Sequence, residues 1–394
     1  MGRHQVFGAA VWRMLPAGQQ PDWPDENELN NARARLVRAP GLVRAQDVSR
    51  LRWQLARAAR GELHVIQAGD CAEDPAECSP GHVARKTALL DVLAGVLKER
   101  TLKPVLRVGR LAGQFGKPRS SPFETVDGVQ LPVYRGHMVN HPEPDPALRR
   151  PDPRRLVAGY EAAGATMRLL GWHGEHGPDE AEAPVWTSHE ALLLDYEGEL
   201  LRTQDDGSVL LTSTHWPWIG ERTRQLDGAH VALLASAVNP VAVKVGPGID
   251  PAELTALCER LDPRREPGRL TLISRMGRGT AAERLPGLVR AVHAAGHPAL
   301  WLCDPMHGNT VSAPGGVKTR YVSTIIGEVE EFQQSVAGNG GTAAGLHLET
   351  TPDQVHECVS NEIHLVELGE KYTSFCDPRL NPEQAREVVS AWRG

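Results

Sequence analysis

The 394-residue chain has no CxxC pair, and its six cysteines are scattered from Cys71 to Cys376. That scatter excludes the common structural zinc site and argues against a small secreted disulfide framework. No apolar run approaches the ~20 residues of a membrane-spanning helix. The opening MGRHQVFGAAVWRMLP holds only a brief apolar patch and no cleavage signal, so it is read as a mature end and a reducing cytoplasm as the location. There is no basic surplus: the net charge is -6, which gives no electrostatic argument for nucleic acid or an anionic membrane as partner. Neither GxGxxG nor GxxxxGK[ST] occurs, which removes the commonest nucleotide-binding turns.

What is present is an alternation of short apolar runs with amphipathic segments, in a chain 41% hydrophobic and 23% charged, ordinary for a globular enzyme. Ala299 to Cys303 are five consecutive apolar residues, broken by Asp304-Pro305 and followed by His307-Gly308-Asn309. A run without alternation suits a strand buried on both faces of a parallel sheet. Similar runs begin near residues 64, 105, 185, 216, 241, 270 and 345, nearly all followed by a helical pattern. Eight repeats predict a closed α/β barrel, (β/α)8, over residues 61–394. Residues 1–60 read as a short helical amino-terminal extension for packing or subunit contacts. Asp205-Asp206-Gly207 predicts a hairpin, and Asp250-Pro251 a capped helix start. Helices are also expected from about Ser188 and after Thr351-Pro352-Asp353, and little regular structure over 122–150.

In such a barrel all strand carboxyl ends face one rim. The residues delivered there fall into two chemical classes. Cys71, His307, Glu349 and Asp377 are metal-capable, and Arg110, Lys117, Arg119, Arg222, Lys244, Arg275, Lys318 and Arg320 are cations. A single histidine or cysteine at a strand end is most often just packed. Position argues for more, because a charge beside buried strands is costly unless it is paired or binds a ligand. Lys244 is the sharpest instance, flanked by Val243 and Val245. A thiolate, an imidazole and two carboxylates favour a divalent transition metal over magnesium or calcium. The many cations imply a ligand with several phosphate or carboxylate groups. The residues thus predict a metal-dependent barrel enzyme acting on small phosphorylated anions.

Several long motifs resemble one family. They are Ala68 to Glu73 (AGDCAE), Arg107 to Ser120 (RVGRLAGQFGKPRS), Trp218 to His230 (WIGERTRQLDGAH) and Cys303 to Thr310 (CDPMHGNT). Tyr134-Arg135-Gly136, Ser188 to Leu192, Lys244 to Pro247 and Cys376 to Asn381 agree, in order, from about residue 20 to the end. The chain resembles the type II (plant-like) 3-deoxy-D-arabino-heptulosonate 7-phosphate (DAHP) synthases. The resemblance implies condensation of phosphoenolpyruvate with erythrose 4-phosphate, the first step of the shikimate pathway. It implies a divalent metal, manganese first and cobalt as the alternative, on Cys71, His307, Glu349 and Asp377. It assigns phosphoenolpyruvate to Arg110, Lys117, Glu221, Arg222, Lys244 and Arg275, and the second phosphate to a subset of Arg119, Ser120, Lys318 and Arg320. Lys117, Glu221 and His307 are its candidates for proton transfer. A homo-oligomer, dimer or tetramer, is expected, with chorismate mutase as a further candidate partner.

The chain departs from the family pattern at His137, where aspartate is usual, and in Glu357 to Glu362 (ECVSNE), which lacks the usual glycine pair. The connection at 172–183 is short for the family. These features resemble a compact branch serving secondary metabolism, for which weak or absent inhibition by aromatic amino acids is expected. Two other readings stay open: a related synthase taking a different aldose phosphate, such as an amino-substituted one, and a non-catalytic regulatory homologue.

Overall fold

The computed structural model describes residues 11–126, 128–172, 184–314, 316–369 and 371–394. The short connection expected to matter for regulation lies, at 173–183, outside the described residues. Eight parallel strands pair in chain order: β1 (His64–Gly69), β2 (Val105–Arg110), β3 (Trp186–Thr187), β4 (Trp218–Ile219), β5 (Val241–Val245), β6 (Leu270–Ser274), β7 (Leu300–Cys303) and β8 (Thr342–Glu349). β8 returns to β1, with Gln67 opposite His347 and Gly69 opposite Glu349. β3 and β4 are joined by Trp216 N to Thr187 O (3.1 Å), Trp218 N to His189 O (3.0 Å) and Ala191 N to Trp218 O (2.9 Å), which closes the ring. The molecule is the expected (β/α)8 barrel.

Closure explains one correction. No helix starts at Ser188, because residues 188–191 stay extended to pair with 216–218, and the helical part is a short turn at Leu194–Glu197 continued by a 3-10 turn at Gly198–Leu200. Likewise the stretch after Thr351 is irregular but for a 3-10 turn at Glu362–Glu367. The Thr351 amide goes to the Leu380 carbonyl (3.0 Å) instead of opening a helix. Within 122–150, a hairpin pairs Phe123–Val126 with Val129–Pro132. The hairpin about Asp205-Asp206-Gly207 forms as expected, between Leu201–Thr203 and Val209–Leu211.

Strand alternation sorts each strand into a helix-facing and an interior set. Val241, Val243, Leu272, Trp301, Leu346 and Leu348 join the helix layer. Val65, Val108, Ala242, Ile273, Leu300 and Leu302 turn inward. Two residues on from those inward positions come charged groups: Val108 leads to Arg110, Ala242 to Lys244, Ile273 to Arg275 and Leu302 to Asp304. The interior is therefore apolar at its base and charged at its carboxyl-end rim.

β8 keeps this order only through an irregularity. Its register on β7 shifts between Trp301, opposite Ala343, and Leu302, opposite Gly345, so Ala344 is an extra residue. The insertion reverses the alternation and turns His347 and Glu349 inward. Gly345 (φ +152°) is required there, since a Cβ would lie 1.8 Å from the Val65 carbonyl oxygen.

Helix α1 (Glu26–Arg38) is capped by Asp25, whose carboxylate accepts from the Glu28 amide (3.0 Å). Helix α2 (Ala45–Ala59) repeats Val48, Leu51, Leu55 and Ala58 on one face, all buried with the inward strand residues. It lies across the amino-terminal mouth. Arg52 pairs with Glu266 just before β6, and the Thr342 hydroxyl at the start of β8 donates to the Ala59 carbonyl (3.0 Å). Fully burying a leucine such as Leu51 or Leu55 contributes about 1.5–3 kcal/mol, so this plug stiffens the base beneath the rim. No helix among the described residues is long and apolar enough to cross a membrane.

Candidate active site

Among the described residues, Cys71, Glu349 and Asp377 place ligand-capable atoms within 4.8 Å of one another. Cys71 follows β1, Glu349 ends β8, and Asp377 comes from the carboxyl-terminal loop, its amide 3.4 Å from the Cys71 sulfur. His307 joins them from the loop after β7, with Nε2 3.2 Å from Glu349 Oε1. The opposite ring atom, Nδ1, lies 2.7 Å from Asp304 Oδ2. An ionised carboxylate can only accept, so Nδ1 carries hydrogen and the Nε2 lone pair points at another acceptor, Glu349. Such a pair needs a cation on Nε2, either a proton or a metal ion. The donor set, with a carboxylate orienting its histidine from behind, fits a divalent transition metal.

Positive charge surrounds the four donors. Lys117 Nζ lies 2.7 Å from the Cys71 sulfur, 3.1 Å from Asp377 and 3.6 Å from Glu349. Arg110 (3.0 Å) and Arg320 (2.9 Å) pair with the two oxygens of Glu349. Burial alone would raise the Glu349 carboxyl, but His307, Lys117 and Arg320 hold it well below the usual carboxylate range. Asp377 is likewise held low against burial by Lys117, Arg320 and Lys318, although Glu349 opposes them. Burial drives the Cys71 thiol up; a metal ion would reverse that.

Above this centre opens a cleft lined by Arg110, Lys117, Arg119, Ser120, Glu221, Arg222, Lys244, Arg275, His307, Lys318 and Asp377. Lys318 donates to Asp377 (2.9 Å), and Arg119 pairs with Glu124 (3.2 Å) and reaches the Cys376 sulfur (3.7 Å). Arg320 is not on the cleft wall. It is fully buried behind Glu349, where it also donates to Thr310 Oγ1 (3.0 Å) and the Pro378 carbonyl. Glu221 is pinned by the Gly246 amide (2.7 Å) and Arg224 (2.9 Å).

Several groups of the site carried no sequence signal that singled them out. Asp304, fully buried, accepts from Lys244 as well as from His307, and from the Met306 amide (3.1 Å). It joins a cleft lysine to the histidine beside the donor cluster. Burial opposes its ionisation, but His307 and Lys244 hold it well below the carboxylate range. Trp218 forms part of the cleft wall, its ring 5.2 Å from the Arg110 guanidinium and 5.9 Å from the Lys244 ammonium. Beneath the rim, Arg110 Nη1 lies 2.5 Å from His347 Nε2, and His347 Nδ1 lies 2.7 Å from Gln67 Oε1. Arginine can only donate, so Nε2 accepts and Nδ1 donates to Gln67, whose amide donates to Ser188 (2.7 Å). Burial, Lys244 and Arg110 hold His347 neutral, as this chain requires. The polarity across the barrel is fixed, and Arg110 is locked by it. Two β8 residues at even spacing, His347 and Glu349, were the available clue.

Fold and site together define a barrel enzyme whose donor cluster could hold a metal ion beneath a cationic cleft. The class-II DAHP synthetase family profile matches residues 8–182 and 167–391. A probable phospho-2-dehydro-3-deoxyheptonate aldolase of Pseudomonas fluorescens is 55% identical over 376 residues, covering 95% of this chain and 94% of that one. A phospho-2-dehydro-3-deoxyheptonate aldolase of Streptomyces coelicolor is 40% identical, with 96% and 95% covered. A solved phospho-2-dehydro-3-deoxyheptonate aldolase from Francisella tularensis SCHU S4 superposes with a TM-score of 0.53 at 15% identity, over 92% of this chain and 97% of that chain, a likeness of fold. The chain belongs to the class-II DAHP synthetase family, and it is an enzyme, a transferase.

Proposed function

We propose that this chain condenses phosphoenolpyruvate with erythrose 4-phosphate, giving DAHP and inorganic phosphate, with a divalent ion on Cys71, His307, Glu349 and Asp377. The observation that carries the reading is continuity. Lys117 touches three of the donors and also lines the cationic cleft, so one pocket serves both metal and anion. The mixed donor set asks for a divalent transition metal, and the family resemblance puts manganese first, with cobalt or others as alternatives. When bound, the ion polarises the aldehyde carbonyl.

The side chains supply the rest. Arg110, Arg222, Lys244 and Arg275 hold the carboxylate and phosphate of phosphoenolpyruvate. Their fixed charges need no reorganisation as the reaction proceeds. The methylene carbon of phosphoenolpyruvate attacks the aldehyde carbon, a C–C bond forms, and the aldehyde oxygen takes a proton. Lys117 is the ammonium placed to give it: burial would lower it, but Cys71, Glu349 and Asp377 keep it protonated. Water then adds at the adjacent carbon, losing a proton to a wall carboxylate such as Glu221. The new hydroxyl then gives its proton to the departing phosphate as the C–O bond to phosphate breaks, and the ketone remains. Arg119, Ser120 and Lys318 lie farther along the wall for the second phosphate. Arg320 acts through Glu349 in this reading. The departures at His137 and in the short connection support a compact branch serving secondary metabolism.

The test is phosphate release from phosphoenolpyruvate with and without erythrose 4-phosphate. Release requires the aldose, falls at least ~100-fold in EDTA, and returns with manganese or cobalt. Activity indifferent to EDTA would refute the metal, and release with another aldose phosphate only would refute the substrate. A second expectation concerns pH. Burial pushes the Lys244 ammonium down and Arg110 adds to the fall, while Asp304 opposes both, leaving it at about 8. Above that pH the free enzyme loses a cation for its anionic substrate, so kcat/KM for phosphoenolpyruvate falls as pH rises through about 8. A pH–rate profile that stays flat well above that point contradicts the assignment.

A further inference from the structure

Helix α3 (Val322–Ala337) carries Glu328, which is fully buried and absent from both the cleft wall and the donor set. Its Oε1 accepts from the Met276 amide (3.0 Å) and the Gly277 amide (2.9 Å), in the loop that follows β6. Its Oε2 accepts from the Asn309 side-chain amide (2.6 Å), in the loop that follows β7. Asn309 in turn accepts from the Arg278 amide (3.0 Å) and donates to the Pro305 carbonyl (2.8 Å). One carboxylate thus ties two rim loops together. The first loop presents Arg275 to the cleft, and the second presents His307 to the metal donors.

The loops also meet without side chains between them. A Cβ on Gly308 would fall 2.3 Å from the Gly277 nitrogen, and Arg275 donates to the His307 carbonyl (3.3 Å). Three N–H donors converge on Glu328, so both of its oxygens accept, a demand that a side-chain amide in its place could not meet. A methyl-bearing side chain of similar volume would avoid the cost of desolvating a charge there. It would leave three buried N–H groups unpaired.

We propose that Glu328 is a positioning residue that fixes the Arg275 guanidinium relative to the metal-site imidazole of His307, so that the anion and metal sites bind as one unit. This rests on the reading above of Arg275 and His307, and it adds a residue that touches neither ligand. Glu328→Gln keeps the shape but turns an NH2 group toward one of the three donors. The holoprotein is compared with the variant by titration calorimetry of Mn2+ alone and of phosphoenolpyruvate in the Mn2+-loaded state, with a melting curve alongside.

In Glu328→Gln, both dissociation constants rise about tenfold, a size typical of groups that orient a metal ligand. KM for phosphoenolpyruvate rises with them, and the tightening of phosphoenolpyruvate by Mn2+ shrinks toward none. Asn309→Ala unties the His307 loop from Glu328 and strands only the Arg278 amide on the Arg275 side, where the Met276 and Gly277 amides stay held, so it weakens Mn2+ more than phosphoenolpyruvate. A folded Glu328→Gln protein that binds either ligand within twofold of wild type overturns the proposal, as does a fall in melting temperature with binding unchanged. If Glu328→Gln does not fold, Asn309→Ala decides on the same Mn2+ criterion. Both binding readouts are independent of turnover. A wild-type protein that binds both ligands but does not consume erythrose 4-phosphate would sink the functional reading and leave this one standing.

Discussion

Replacing His307 by alanine is expected to abolish tight Mn2+ binding and lower kcat by about a thousandfold or more. The imidazole is the single nitrogen donor in the proposed set and its one member from the loop after β7. Its removal leaves a thiol and two carboxylates already compensated by Lys117, Arg110 and Arg320. Those cations can neutralise the remaining donors without an ion, so affinity falls steeply. A metal that polarises a carbonyl supplies several kcal/mol of transition-state stabilisation, and each ~1.4 kcal/mol is tenfold in rate. Fold stability should change little, because His307 is only partly buried. Mn2+ calorimetry and steady-state rates check this together. Mn2+ affinity within threefold of wild type in His307→Ala would remove the histidine from the donor set.

Asp304→Asn is expected to lower kcat/KM by about a hundredfold to ten-thousandfold through two separate losses. The first is tautomeric. Asp304 forces hydrogen onto Nδ1 of His307 and so frees Nε2. An asparagine presenting its NH2 would reverse the ring, placing hydrogen on Nε2 and blocking the metal-facing lone pair. Loss of an orienting carboxylate behind a catalytic imidazole costs about ten-thousandfold in serine protease triads. The second loss is electrostatic. Asp304 raises the Lys244 ammonium, and without it burial acts with less opposition. The alkaline limb of the phosphoenolpyruvate profile should therefore move to a pH below the wild-type value. The fold should lose less than the ~3–5 kcal/mol of a stranded buried charge, because Lys244 can release its proton instead. An unchanged pH profile in Asp304→Asn would show that the two residues are not coupled.

Much of the barrel is legible in the sequence because its strands are buried on both faces and so read as plain apolar runs. Each run reaches a charged residue, costly to bury unless it is paired: Arg110, Lys244, Arg275 or Asp304. What is hidden follows from contacts distant in sequence. Residues 188–191 look helical until their pairing with 216–218 is known, since closure of a ring has no local signature. Glu357 has no motif around it, yet its carboxylate gathers the Thr373, Ser374 and Arg379 amides and the Arg379 guanidinium, fixing the loop that carries Asp377. Asp304 and Asn309 read as loop-shaping residues, and their partners Lys244 and Glu328 lie on other elements. The rank order of cations is hidden too. Arg320 sits among basic residues in sequence but is fully buried in space.

The extra residue at Ala344 also bears on how this family can vary in length. In an ordinary strand a one-residue deletion flips every later side chain to the other face. In β8 a deletion that removes the extra residue would leave everything after it in place, whereas an unbulged strand of the present length would drive Leu346 and Leu348 into the polar interior and the His347 imidazole and Glu349 carboxylate into the greasy helix layer. The proposed metal address is thus written as a count as much as a composition. Sequences that keep every donor but lose one residue between Thr342 and Glu349 should be read as having lost the bulge and kept the inward face.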